Sequence, residues 1–509
     1  LCSARANLTL CSSAGIDADT YARLFFPFGK HGFDVKHEGS LGLVMGSRES
    51  GGEIPGGIVS GTRYWWVAIF FWLGAIGASL GPLASGSIAA PAEHEGVATC
   101  SGSTCHGRLG PNPHGVRQNE ISTWQDTTSS AGAHSRAWSV LGDARARGIA
   151  DRLGIASAQT SPLCLGCHVD PAVARGPKFQ IADGVGCEAC HGGSSTWLSS
   201  HYALHATHAS NVAAGMTALE QPKVRAAVCL NCHFGSADPN QFVSHRLMAA
   251  GHPRISFELD LFSELQRHYD VDAYYAARKT IAGGVKIWAV GQAMALERTL
   301  TLYQSPRGSQ GLFPEFTFFD CQSCHRTFSN DPNWSPRAGT NPGRPIPIGQ
   351  PPFNDANIIM LIAAVRATTP DLADRFESQT RAFHLALAEG RESAIRAAGD
   401  LAQTAHALAD DFASRRFSRD DVFAILDQLT GDTLAARYTD YAGGEQAVMA
   451  VDTLRSALVA NGMVKLTDAK AIGPQIAQLY DDVKDPNTYH PAEFRKSLER
   501  VAAAIKGLH

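Results

Sequence analysis

Ten cysteines and five histidines in this chain fall into one repeated pattern. Cys164-Leu-Gly-Cys167-His168 is followed by Cys187-Glu-Ala-Cys190-His191. The pattern recurs at Cys229-Leu-Asn-Cys232-His233 and at Cys321-Gln-Ser-Cys324-His325. A widened form, with four residues between its cysteines, stands at Cys100–His106, with Cys105 directly before His106. Cys-x-x-Cys-His is the attachment signature of a c-type haem. Its spacing follows from the chemistry. Two thiols add to the vinyl groups on one edge of the porphyrin, and the adjacent histidine lies under the iron as its proximal ligand. Paired Cys-x-x-Cys units also hold zinc, but zinc does not require a histidine immediately after each second cysteine. Histidine supplies 20 of the 509 residues, so that adjacency, repeated five times, is not a product of composition. The reading is five covalently bound haem c groups, the widened motif included.

A second axial ligand for each iron must come from elsewhere. His134, His201, His205, His208, His245, His252 and His268 are available, with His94 and His114 close to the first motif. His201, His205 and His208 are spaced i, i+4, i+7, which on one continuous helix would align them on a face. A solitary histidine is more often a hydrogen-bonded or surface residue, and Met216 and Met248 are more often core filler than ligands. No Cys-x-x-Cys-Lys occurs, so a lysine-ligated haem is not expected.

The elements that must position these groups read as mainly α: a loop-rich multihaem cytochrome c domain followed by an α-helical bundle. Residues 1–62 carry glycine-rich tracts and little periodicity and read as poorly structured, with Met45 as the start and the residues before it as upstream translated sequence. Arg63 precedes an uncharged run from Tyr64 to Ala84, with Ser87-Ile88-Ala89 after it. Residues 63–90 thus read as a secretory signal peptide, with an uncleaved membrane anchor as the rival. Residues 91–330 hold all five motifs, in a length too short to give each haem its own apolar core. Short helical turns are expected to carry each cysteine pair, and a helix to cover Ala133–Leu141. Helical periodicity runs from Phe257 to Tyr303, where Trp288, Met294, Leu296 and Leu300 read as core.

Seven prolines between Pro332 and Pro352 predict a linker over 331–352 with no helix or central strand. From 353 to 509 the chain is alanine-rich, lacks cysteine and has apolar residues at helical spacing, such as Val422, Ile425, Leu426 and Leu429. An antiparallel bundle is expected there, with His384, His406, His490 and His509 at its surface. The linker predicts few contacts between the bundle and the haem region.

Several stretches resemble the cytochrome c-554 family, the multihaem electron carriers of nitrogen-oxidising bacteria. These are TWQDTTSSAGAHSRAWSVL, CLGCHVD, GVGCEACHGG, the WLSSH segment at 197–201 and VCLNCH, in the family's order. The family is related in haem arrangement to hydroxylamine oxidoreductase and pentahaem nitrite reductase. The resemblance is good over 95–235, fades through 325 and does not reach the bundle. It implies that the haem at Cys100/Cys105/His106 takes His201 as distal ligand. It implies that the haem at Cys187/Cys190/His191 takes His134, and the fourth takes His245, His252 or His268. It leaves the haem at Cys164/Cys167/His168 without a distal protein ligand. The widened first motif, the fifth motif and the bundle depart from the family pattern.

Three functions fit. One is an electron carrier between redox partners, such as other cytochromes or quinol-linked complexes, in the periplasm or outside the cell. Another is an oxidoreductase acting on a small nitrogen or sulfur compound at one five-coordinate haem. The third is a conduit subunit docked to a membrane or filament partner through the bundle. The spare histidines, and the want of a recognisable acid–base set, favour the carrier. His208 is the expected closure of the second haem. The formal charge of −4 carries no nucleic-acid signal. Membrane contact is expected only through the N-terminal segment or a partner.

Overall fold

The computed structural model describes residues 91–110, 112, 117–309, 314–325, 343–347 and 350–509. The expected N-terminal segments, 1–62 and 63–90, lie outside these residues, as do His114 and most of the proline-rich stretch. The described chain is mainly helical, with one short parallel pairing of Glu93–His94 and Ala174–Arg175. No described helix is long and apolar enough to cross a membrane.

The first half is built from short turns because glycine and proline interrupt it repeatedly and its motifs must be presented at close quarters. The segment expected as one helix, Ala133–Leu141, instead runs through the 3₁₀ turns His134–Arg136 and Ser139–Gly142, preceded by Ser130–Gly132. The tighter winding suits a stretch whose polar side chains bond back to carbonyls, as Ser135 Oγ does to Gly132 and Ser139 Oγ to Arg136.

Longer helices follow where apolar periodicity is sustained: Gly284–Gln304, Ala356–Thr368, Pro370–Glu389, Arg391–Ser414, Arg419–Thr430, Tyr441–Ala460, Gly473–Asp482 and Pro491–Lys506. Ala356–Thr368 and Tyr441–Ala460 are buried around most of their circumference and form the middle of the bundle.

Gly284–Gln304 joins the two halves. It packs against Pro222–His233 and Leu259–Leu265 on the haem side, and against Ala356–Thr368, Arg391–Ser414 and Tyr441–Ala460 on the other. Trp288, Leu296 and Leu300 are buried in it, and Met294 is partly buried against the same core. One continuous apolar core runs from Ala226 to Ile505. The expectation of few contacts across the linker therefore does not hold. Its C-terminal end is stitched down: Phe353 pairs antiparallel with Phe319, Asp320 N donates to Pro352 O, and Asn354 N donates to Phe318 O, both at 2.9 Å. Arg344, within the stretch, is buried and ion-paired to Asp355 at 2.9 Å, with Asp440 at 3.7 Å. The described part of the stretch, 343–347 and 350–352, has no helix or strand, and it lies against the core through Arg344 and Pro352.

The surface expectation for the bundle histidines also needs one correction. His406, His490 and His509 are exposed, but His384 is buried. It lies between Phe383 and the Arg344–Asp355 pair, 3.9 Å from Asp355.

Candidate haem sites

Four of the five motifs are built on helical turns. Cys164–His168 occupies the helix Pro162–His168, started by proline at its first position. Cys190 and His191 end the turn Glu188–His191, with Cys187 just before it. Cys229–His233 closes the helix Pro222–His233. Cys321–Cys324 is one turn capped by Asp320, whose carboxylate accepts from Gln322 N at 3.1 Å, with His325 directly after. In the widened first motif, Cys100 ends Val97–Cys100 and the extra residues fold back on themselves. Cys105 N donates to Gly102 O at 2.8 Å and His106 N to Cys100 O at 3.1 Å. A Cβ at Gly107 would stand 2.0 Å from Ser101 O, so this tight return needs glycine. Gly166 is constrained in the same way, its missing Cβ facing Asn240 O at 2.3 Å.

The tertiary structure sets a second histidine opposite each of these five. The facing pairs, by ring-centroid distance, are His106 and His201 (6.0 Å), His168 and His252 (6.4 Å), and His191 and His268 (6.3 Å). His233 faces His134 at 6.5 Å, and His325 faces His245 at 6.0 Å. A metal–imidazole bond is about 2 Å and the ring nitrogen lies roughly 1 Å from its centroid, so two imidazoles on one metal stand about 6 Å apart. All five pairs fit an iron between them.

Four of these rings donate from Nδ1. His106 Nδ1 donates to Glu120 Oε2 at 3.0 Å, His168 Nδ1 to Ala137 O at 2.7 Å, His252 Nδ1 to Pro253 O at 2.8 Å and His268 Nδ1 to Gln266 O at 3.2 Å. His201 Nδ1 bonds the Asn211 side-chain amide at 3.1 Å. In the four rings that donate from Nδ1, Nε2 is left without a proton and the bond orients the ring; His201 Nδ1 instead accepts from Asn211 Nδ2, which places its proton on Nε2. Burial pushes the His191 and His233 imidazoles down to about 3, and lowers those of His134, His168, His201, His252 and His268. Burial thus favours the neutral form, the one that binds iron.

Four expectations are corrected by these positions. His208 faces no motif histidine; its Nε2 bonds Glu220 Oε2 at 2.8 Å and is thereby occupied. The i, i+4, i+7 alignment fails because the helix ends at His201, His205 takes a left-handed conformation (φ 68°), and a new helix begins at His208. His134 faces His233 rather than His191. The second motif, which the resemblance leaves open, has His252 across from it. His268 is the facing residue that spacing did not single out: it lies just past the helix Leu259–Leu265, and nothing local distinguishes it from the other spare histidines. His94 lies 2.8 Å from Asp170 instead.

The motifs also approach one another. The Cys100 and Cys187 side chains lie beside each other, and Cys167 Sγ lies 4.0 Å from Cys232 O. Cys190 lies near Cys229 and Cys232. A cavity lined by Cys232, His233, Phe257, Arg254, Phe318 and Cys321 lies between the fourth and fifth motifs. A continuous order results: first, third, fourth, with the second and fifth beside the fourth.

Helical turns that present two thiols and a histidine, each facing a second histidine, define a class: the c-type cytochromes, which carry haem covalently. Residues 97–192, spanning the first three motifs, match the family cytochrome c554 and c-prime. The match implies covalently bound haem c and resembles what the motifs alone indicate. No curated protein and no solved structure matches the chain.

Proposed function

We propose that this protein is an electron relay holding five covalently bound haems, each between two histidines. The observation that carries the reading is the set of five facing histidine pairs at 6.0–6.5 Å. Haem supplies reversible one-electron iron chemistry when bound. The residues do the rest. The cysteine pairs tether each group, with Cys105 reaching across the widened loop. His106, His168, His191, His233 and His325 take the proximal side; His201, His252, His268, His134 and His245 take the distal side. A histidine on each side of every iron would leave no open position for a substrate, which favours the relay over an oxidoreductase. The close approach of the motifs would give electrons a connected, branched route through the chain. Covalent haem attachment is the support for a setting outside the cytoplasm, in the periplasm or beyond it, where the partners are other redox proteins.

A pyridine haemochrome assay on the holoprotein is expected to give five haems per chain, and the reduced protein is expected not to bind carbon monoxide. Four haems, or one high-spin haem that binds carbon monoxide, would count against this reading.

A further inference from the structure

We propose that Glu120 makes the haem of the first motif the hardest of the five to reduce, by accepting the Nδ1 hydrogen bond of its proximal ligand, His106. The inference rests on the five-pair reading above and assigns this residue a positioning and tuning role within it.

The observation is a contrast among the axial residues. Among the described ring hydrogen bonds of the ten, only that of His106 goes to a carboxylate, Glu120 Oε2 at 3.0 Å; His245 reaches Glu315 through its backbone N–H, not its ring. His168, His252 and His268 donate to neutral backbone carbonyls, and His201 bonds a neutral amide. His233 stands at the other extreme. Its Nδ1 is buried with no hydrogen-bond partner, and its ring stacks on Phe257 at 4.6 Å. The other histidine–carboxylate pairs among the described residues, His94 with Asp170, His208 with Glu220, His384 with Asp355, and His406 with Glu297 and Asp410, face no motif histidine.

A charged acceptor polarises an imidazole more than a neutral one does. The proton stays on His106 Nδ1, but electron density shifts toward Nε2 and the ring becomes a stronger donor. A stronger axial donor favours ferric over ferrous iron and lowers the potential. Glu120 is held for this role at the start of the helix Glu120–Trp124, with its side chain 15% exposed. Burial would raise its carboxyl, but the hydrogen bond and charge of His106 hold it below the usual range. Lys279 and His268 also face this pair and partly offset the carboxylate; Lys279 is exposed.

The consequence is a direction. Cys105 is exposed, so the first motif lies at the surface, while His233, the poorest donor environment, lies inside. An electron entering at the first motif would run downhill toward the fourth.

The test uses the full holoprotein in a potentiometric titration followed by visible and EPR spectra, after the haem count and spin states are measured. In Glu120→Gln the lowest-potential component should rise in potential, its ferric-to-ferrous ratio at a given applied potential falling about tenfold, or about 59 mV for one electron. The others should stay in place, and one low-spin EPR signal should shift. Glu120→Asp keeps the charge, and its lowest component should remain below that of the Gln variant. An unchanged lowest component in Glu120→Gln, or a common rise of all five, would overturn the proposal. A missing haem or a high-spin signal in the unmodified protein would instead bring down the five-pair reading, and is read before any variant is made.

Discussion

His252 and His208 separate the tertiary structure from sequence spacing most sharply at the scale of single residues. Both are ordinary spare histidines, yet one ring is turned toward His168 and the other has its Nε2 bonded to Glu220. Replacing His252 with alanine should convert one low-spin haem to high-spin and create carbon monoxide binding in the reduced protein. His208→Ala should leave both properties as they were; the reverse pattern would restore His208 as the ligand. Ligand planes give a second check. The His168–His252, His191–His268 and His233–His134 rings are near perpendicular (89°, 88° and 75°), whereas His106–His201 and His325–His245 are closer to parallel (14° and 34°). Perpendicular imidazoles leave the iron orbitals nearly degenerate and spread the EPR anisotropy. Three haems should therefore show large-gmax low-spin signals and two should show rhombic ones. Five alike would mean that the rings rotate when iron binds.

At the scale of elements, the helices of the bundle were readable because their apolar stripes recur at the helical period, and burial of that stripe is the reason they form. The haem-side turns were less readable. A single left-handed residue, His205, was enough to undo a three-histidine alignment that assumed an unbroken helix. Within Pro370–Glu389, His384 shows how packing overrides composition. Burial, with Arg344 and Arg437 nearby, pushes its imidazole down to about 3 from 6.5. Between those values the unfolded chain binds a proton that the native chain does not. Its contribution is therefore complete above pH 6.5 and is lost as pH falls toward 3, at about 1.4 kcal/mol per pH unit. In urea titrations from pH 7 to pH 5, His384→Gln should lose stability less steeply than the unmodified protein. Parallel slopes would show that His384 takes up its proton without cost.

At the scale of the whole molecule, the bundle is not an appendage. Gly284–Gln304 is buried by both halves, and Tyr303 sits among Phe318, Phe353 and Phe383. Each such large side chain contributes about 1.5–3 kcal/mol when buried. A chain ending at Pro352 would expose one side of that helix and remove Phe353 from beside the fifth motif. It is expected to be insoluble or to unfold without a cooperative transition, and to lose the fifth haem first. A truncated protein with five haems and a sharp unfolding transition would show instead that the haem region folds alone.

The sequence by itself carried the proposed chemistry of each attachment point. Two thiols and the adjacent histidine are local, so their spacing alone suggests the reading, and the widened first motif is read in the same way. It also determined the helical character of the C-terminal half, through periodicity. Which histidine faces which motif was decided only by the tertiary structure. His268 lies 77 positions beyond His191 and His134 lies 99 before His233, and no local pattern links residues so far apart. The linker was decided there too: proline forbids regular hydrogen bonding, but it does not forbid contact, and only packing shows that Arg344 and Phe353 are held in the core.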